Sequence, residues 1–228
     1  QTVFSPVVTL ILFLAVFIGY FLALILKVKE VKKLSIYLAF SGAFLLALTI
    51  FELLPDVYET PNKLIGVYII SGILLQIILE FFSKGAEHGH VHQHNESKTF
   101  PWLLFISLSI HALLEGLPIT KDNNLLIGIM IHKIPIALIL SIFFINANYK
   151  KTTTLSFLLL FAIMTPIGNW LANNFESIIN YHKEITAIAI GVFLHVSTTI
   201  LFESSKNHQF NISKMSAVVI AIVLAFFL

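Results

Sequence analysis

Two apolar segments, SLSIHALLEGLPIT (residues 107–120) and GIMIHKIPIALIL (residues 128–140), each carry a histidine and are joined by a short polar turn. In the first segment, His111 and Glu115 stand four residues apart. On a helix this spacing places both side chains on one face, with about 5–6 Å between their Cβ atoms. The first segment therefore predicts two ligands for one divalent cation.

The second segment places a histidine close to a proline. His132 lies three residues before Pro135. A proline inside a helix removes one backbone hydrogen bond and clashes with the carbonyl group four residues back. We therefore expect carbonyl oxygens near His132 to be available to a cation.

The composition is that of a polytopic membrane protein. Of the 228 residues, 57% are hydrophobic and only 11% are charged, which leaves too little polar surface for a soluble domain. The net charge is +2, and the scattered lysines argue against a nucleic-acid partner. The absence of cysteine excludes disulfides, thiolate metal sites and cysteine nucleophiles.

Apolar segments long enough to cross a hydrocarbon core of about 30 Å recur along the whole chain. They predict an all-α protein with eight transmembrane helices and one domain over residues 1–228. The apolar segment over residues 4–26 is expected to be a retained helix and not a cleaved signal. The predicted spans are 4–26, 34–54, 64–83, 101–120, 124–146, 153–173, 184–203 and 212–228.

The lysines predict the orientation, since the chain has no arginine. The loops after spans 1, 3, 5 and 7 contain Lys27, Lys29, Lys32, Lys33, Lys84, Lys98, Lys150, Lys151, Lys206 and Lys214. The opposite side has Lys63, Lys121 and Lys183, and Lys133 lies within a span. Because positive charge favours the cytoplasmic side, we expect both termini outside the cell.

Three histidines are expected at the middle of the membrane. At about 1.5 Å per residue, His111, His132 and His195 all lie about 12–16 Å from the start of their spans. Gln76 and Thr165 come out at a similar depth. Buried polar residues in membranes usually face the bundle interior and mark a pathway. For His195, a hydrogen bond between helices is the alternative role.

Acidic residues near the ends of spans 2, 3 and 7 predict a path to and from this depth. Glu52 and Asp56, in the sequence ELLPD, lie at the outer end of span 2. Glu80 and Glu203 lie near the inner ends of spans 3 and 7. Solvated helix ends are the alternative interpretation of all four.

Histidines alternate in the loop between spans 3 and 4, residues 84–99, which the lysine pattern places in the cytoplasm. The tract KGAEHGHVHQHNESK contains His88, His90, His92 and His94. Such tracts bind transition metals loosely, and imidazoles suit zinc, copper, iron or nickel better than magnesium or calcium. An ordinary polar loop is the alternative.

Taken together, the eight spans, this loop, and the motifs ELLPD, HALLEG, HKIP and PIG resemble the ZIP family (Zrt/Irt-like proteins) of divalent metal transporters. The resemblance implies a 3+2+3 bundle in which the first and last three spans are inverted repeats and spans 4 and 5 hold the metal. It also implies transport of zinc, iron or manganese toward the cytoplasm by a homodimer.

The resemblance assigns three ligands and shows several departures. His111, Glu115 and His132 match family ligand positions. Where family members commonly have a polar residue or an acid, this chain has Ala112, Lys133, Ala137 and Thr165. Three carboxylates are therefore missing, and one is replaced by a cation.

These departures predict at most one metal ion. Water, a carbonyl oxygen or His195 would complete a roughly tetrahedral shell around the three matched ligands. Lys133 is alternatively a permanent counter-charge to Glu115 in place of a second ion. The expected mechanism is alternating access, in which one helix group rocks against the other.

Two other classes of function remain open. A membrane-embedded zinc hydrolase would use His111, His132 and His195 as ligands and Glu115 as a general base. Against it, the chain lacks an HExxH helix motif. A metal sensor, or a relative that has lost transport, is the second alternative.

Overall fold

The fold consists of helices packed into one bundle. The computed structural model describes residues 6–26, 34–60, 62–83, 100–120, 124–203 and 212–228, and all regular elements in these ranges are helical. The long apolar helices are α1 (Pro6–Leu26), α2 (Ser35–Tyr58), α3 (Lys63–Ser83), α4 (Trp102–Gly116), α5 (Leu125–Asn146), α6 (Lys151–Asn174), α7 (His182–Glu203) and α8 (Ile212–Phe226). A short helix, Glu176–Asn180, joins α6 to α7. The prediction of an all-α polytopic membrane protein is confirmed.

Five of these helices, α2, α3, α5, α6 and α7, are long and apolar enough to cross a membrane. The other three contain shorter apolar stretches, Thr9–Ile25, Trp102–Gly116 and Ile212–Phe226. The count of eight spans therefore stays a prediction for α1, α4 and α8.

Two helices with prolines near their predicted ends finish at other residues than predicted. Helix α4 ends at Gly116 instead of residue 120, because Pro118 has no N–H to donate to the carbonyl oxygen one turn back. Helix α2 continues past Pro55, and its turn from Thr49 to Leu53 widens to a π-helix. The wider turn precedes the proline, whose ring would clash with a carbonyl of a regular α-helix.

The helices form two groups. The most extensive contacts join α1 with α5, α4 with α6, α3 with α7 and α2 with α8. Contacts of α1 with α6 and of α2 with α7 complete a first helix group (α1, α4, α5, α6) and a second helix group (α2, α3, α7, α8), and contacts of similar extent join the groups between α2 and α5 and between α3 and α4. The four most extensive helix pairs show the symmetry that an internal repeat predicts. They stay the same when α1 is exchanged with α6, α2 with α7, α3 with α8 and α4 with α5.

Glycines bring the backbones of α3 and α7 into contact. A Cβ atom on Gly72 would meet the carbonyl oxygen of Ile188, and one on Gly191 would meet that of Ile69. Gly116 and Gly168 do the same where α4 and α6 cross, since a Cβ atom on either would meet the backbone of the other helix. Small residues permit such close approach between membrane helices. Each group is therefore tightly packed within itself.

Replacing Gly72 with alanine is expected to destabilise the protein by about 1–3 kcal/mol, since the new methyl group would overpack a backbone contact. Gly66→Ala is the control on the same helix, because among the described residues its Cβ would meet the hydroxyl of Tyr58, at an ordinary contact distance of 3.6 Å. Thermal unfolding in detergent measures both variants. Equal melting temperatures for the two variants would contradict the close crossing of α3 and α7.

Candidate metal site

Helix α4 presents two metal-binding side chains to the bundle interior. His111 and Glu115 are 2% and 1% exposed, and the Nε2 atom of His111 lies 3.0 Å from Oε1 of Glu115. The helical spacing of four residues produces this contact. An imidazole and a carboxylate therefore share one buried face.

Helix α5 contributes the third side chain. The Nε2 atom of His132, which is 1% exposed, lies 3.7 Å from Oε1 of Glu115. Ligand atoms from the three residues all lie within 4.8 Å of one another. Donor atoms that share one tetrahedral zinc ion at about 2.0–2.1 Å lie about 3.3 Å apart. The arrangement therefore suits one divalent ion after a small inward movement.

A buried lysine neutralises the carboxylate of this cluster. The Nζ atom of Lys133 lies 2.6 Å from Oε2 of Glu115, and both side chains are 1% exposed. The ammonium group also lies 4.9 Å from the ring centroid of Phe161, within the range of a cation–π interaction. Burying this ion pair is favourable only if its geometry is good, because both charges lose their hydration. Glu115 thus presents Oε1 to the histidines and Oε2 to the ammonium group.

The second helix group holds the far side of both imidazoles. Nδ1 of His111 lies 3.0 Å from Oε1 of Gln76 on α3, and Nδ1 of His132 lies 3.3 Å from Oγ of Ser41 on α2. Gln76 is fully buried and Ser41 is 1% exposed. Such outer partners orient metal-binding histidines in proteins.

His195 lies apart from the cluster. Its Nε2 atom contacts Oε2 of Glu80 at 2.6 Å, and the two side chains are 19% and 24% exposed. The pair joins α7 to α3 within the second helix group. The residue therefore takes the alternative role of an interhelical hydrogen bond, because the face of α7 that bears it packs on α3.

Of the other predicted pathway residues, Glu52 and Thr165 form hydrogen bonds between helices and Asp56 is exposed. Glu52 accepts hydrogen bonds from the backbone N–H and the side-chain amide of Asn124, so it ties α2 to the start of α5. Asp56 is exposed near the end of α2. Thr165 is buried and donates to the carbonyl oxygen of Ala112 across the crossing of α4 and α6. The structure does not link these residues to the metal-binding atoms.

Two predicted features fall partly or wholly outside the described residues. Glu203 is described as the last residue of α7, and its side chain lies outside the described part of the structure. The predicted loop ligands His88, His90, His92 and His94 lie outside the described ranges. Among the residues that are described, the cluster on α4 and α5 is the one group of three or more side chains with metal-ligand geometry.

Ser41 and Phe161 border the site, and the sequence reasoning did not include them. A signal for Ser41 exists, since it is a polar residue inside the apolar span 2. Phe161 has no such signal, because it is one of 21 phenylalanines in an apolar chain. Only the packing of α6 within the first helix group brings the ring of Phe161 close to the ammonium group of Lys133.

Comparison with known proteins gives one family. The model of the family described as "ZIP Zinc transporter" matches residues 83–228. Protein zntD of Dictyostelium discoideum is 29% identical over 155 residues, covering 56% of this chain and 22% of that protein. Zinc transporter ZIP1 of Danio rerio is 34% identical over 87 residues, covering 36% of this chain and 29% of that protein. The chain thus spans less than a third of the length of each relative.

Proposed function

Because this chain belongs to the ZIP zinc transporter family, we propose that it carries a divalent transition-metal ion, zinc first and also iron or manganese, across a membrane. The observation that carries the proposal is the buried cluster of His111, Glu115 and His132. Two imidazoles and one carboxylate form a donor set suited to zinc. Their place inside a bundle of apolar helices favours passage of the ion over display of a surface site.

The site is proposed to hold a single ion. Two adjacent dications need several carboxylates to offset their mutual repulsion. Among the described residues near this cluster, Glu115 is the acid, and its second oxygen is already bound to Lys133. The ammonium group therefore occupies the side of the carboxylate on which a second ion would bind.

We propose that the ion moves by rocking of the first helix group against the second. The ligands lie on α4 and α5 of the first group, whereas Gln76 and Ser41 belong to the second. Glycine crossings make α3 with α7, and α4 with α6, tightly packed pairs. Relative movement is therefore easier between the groups than within them.

The proposed direction is toward the cytoplasm. The lysine pattern favours Glu52 and Asp56 on the outer side and Glu80 and Glu203 on the inner side. The proposal includes termini outside the cell, a cytoplasmic loop over residues 84–99 that meets the metal after entry, and assembly as a homodimer.

A hydrolase is a weaker candidate than a carrier. The hydrolase hypothesis needs His195 as a third imidazole ligand, but this residue pairs with Glu80. It also needs Glu115 as a general base, and this carboxylate already contacts Lys133 and His111. The matching family model is described as that of a zinc transporter, and one of the two relatives is named a zinc transporter, which supports the carrier.

Uptake of zinc, manganese and iron into proteoliposomes tests the proposal. His111→Ala is expected to lower the initial rate at least about ten-fold, since the loss of an oriented metal contact costs about 10–100-fold in affinity or activity. His182→Ala is the matched control, because this histidine lies at the start of α7 and contacts Thr186.

Uptake by His111→Ala at the rate of the parent protein would contradict the proposed site. Metal binding without uptake in the parent would favour a sensor. Metal-dependent hydrolysis without uptake would favour an enzyme.

A further inference from the structure

Each metal-binding side chain of the cluster has its remote polar atom held by a neighbour. Gln76 contacts Nδ1 of His111, Ser41 contacts Nδ1 of His132, and Lys133 contacts Oε2 of Glu115. The atoms left facing one another are the two Nε2 atoms and Oε1 of the carboxylate. The three outer contacts thus aim three ligand atoms at one point.

The contact with Gln76 requires a proton on Nδ1 of His111. The side-chain oxygen of Gln76 can only accept a hydrogen bond, so Nδ1 of the imidazole must donate. Nε2 is then the ring atom that faces the cluster, where it lies 3.0 Å from Oε1 of Glu115, pairs with that carboxylate when it is protonated in the absence of metal, and would exchange this proton for a metal ion. The hydroxyl of Ser41 can donate or accept, so its contact fixes the ring orientation of His132, with Nδ1 outward and Nε2 toward the cluster.

The two histidine contacts differ from the lysine contact in where they originate. Lys133 and Glu115 both belong to the first helix group, so their ion pair moves with the metal site. Gln76 on α3 and Ser41 on α2 belong to the second helix group. Their hydrogen bonds therefore exist only while the two groups keep this relative position.

We propose that Gln76 and Ser41 are positioning residues that hold the two imidazoles with Nδ1 outward and Nε2 toward the metal position, and that movement between the helix groups removes this hold and lowers metal affinity for release. The inference rests on the proposed function. It assigns the change in affinity to two hydrogen bonds that cross the boundary between the groups. The metal ligands themselves stay the same throughout the cycle.

Protonation of Nδ1 of His111 is measurable without any metal. In protein labelled with ¹⁵N-histidine, the His111 signals are assigned by their loss in His111→Ala, and their shifts report which ring nitrogen carries the proton. We expect the proton on Nδ1 in the parent and in Gln76→Glu, which keeps an acceptor at this position. In Gln76→Met we expect the signal to move toward the Nε2–H form. An unchanged His111 signal in Gln76→Met would overturn the proposal.

Metal binding and uptake give a second, independent measurement. Gln76→Met is expected to weaken Co²⁺ binding, followed by its visible absorption, by about 10–100-fold, and Ser41→Ala by a smaller factor. In zinc uptake, Gln76→Met should raise KM by a similar factor and leave the maximal rate nearly unchanged. Gln76→Glu should restore KM. A fall in the maximal rate at unchanged KM would contradict a positioning role.

Ser107→Ala is the matched structural control. The hydroxyl of Ser107 on α4 donates to the backbone carbonyl of Leu79 on α3, so its bond crosses the same boundary without touching a ligand. We expect this variant to keep parental KM and Co²⁺ affinity. Equal loss of Co²⁺ affinity in Ser107→Ala and Gln76→Met would overturn the proposal.

The outcomes separate this inference from the proposed function. If the parent binds Co²⁺, His111→Ala does not, and Gln76→Met binds like the parent, the metal site stands and the positioning role fails. If the parent neither binds nor transports metal while the His111 tautomer still depends on Gln76, the proposed function fails.

Discussion

Replacing Glu115 with glutamine is expected to abolish metal binding and to lower the free energy of unfolding by about 3–5 kcal/mol. The carboxylate lies 3.0 Å from His111 and 3.7 Å from His132, so its loss removes the negative ligand at the centre of the cluster. The same change leaves the ammonium group of Lys133 buried without its counter-charge, and burial of an unpaired charge is costly. Isothermal titration with zinc and thermal unfolding measure the two effects separately.

A double variant separates the ligand role of Glu115 from its role as a counter-charge. Glu115→Gln combined with Lys133→Met removes both charges, and it is expected to recover much of the lost stability. It should still fail to bind zinc, because the carboxylate ligand is absent. Zinc binding by the double variant with parental affinity would show that Glu115 is not a ligand.

Local spacing accounts for the part of the site that the sequence predicted best. His111 and Glu115 lie on one helix, where a separation of four residues determines which face both occupy. His132 and Lys133 are adjacent on α5, and each reaches a different oxygen of Glu115. The predicted counter-charge between Lys133 and Glu115 is present in the structure as a buried ion pair. The pair on α4 depends on helix geometry alone, whereas the ion pair also depends on how α4 and α5 are placed in the bundle.

The sequence does not predict how each helix is rotated about its own axis. Counting residues along a span gives the depth of a side chain but not the neighbour that it faces. Counting residues places His195 at the depth of the other histidines, yet its face of α7 packs on α3 and its imidazole contacts Glu80. Ser41 was overlooked for the same reason, since only the packing of α2 on α5 brings it to His132. The apolar pattern gives little information on rotation, because helices in a membrane are apolar on most faces.

Helix lengths show a related limit. The hydrophobic run from 101 to 120 predicted one long span, and Pro118 ends the helix at Gly116 instead. The same residue type did not end α2, where a π-helical turn over Thr49–Leu53 precedes Pro55. Whether a proline terminates a helix depends on whether neighbouring turns can widen. The packing around each helix decides this, and composition does not.

Replacing Lys133 with methionine is expected to increase zinc affinity at least about ten-fold, because charges about 4 Å apart interact by about 4 kcal/mol at an effective dielectric constant of about 20. The parent ammonium group lies 2.6 Å from Oε2 of Glu115 and therefore offsets the negative charge that attracts the metal. In the variant the full carboxylate charge is available to zinc. Tighter binding slows release, so the KM and the maximal rate of uptake should both fall.

The stability of the same variant should depend on metal. Without zinc, the buried carboxylate of Glu115 lacks its ammonium partner, and Lys133→Met is expected to lose about 3–5 kcal/mol. Zinc at a hundred times its Kd should restore about 2.7 kcal/mol, since it binds the folded state. Lys183→Met is the matched control, because Lys183 and Glu59 form an ion pair at 3.4 Å whose side chains are 43% and 74% exposed. The control should change neither zinc affinity nor stability measurably, and zinc binding by Lys133→Met no tighter than in this control would mean that the ammonium group does not tune the metal site.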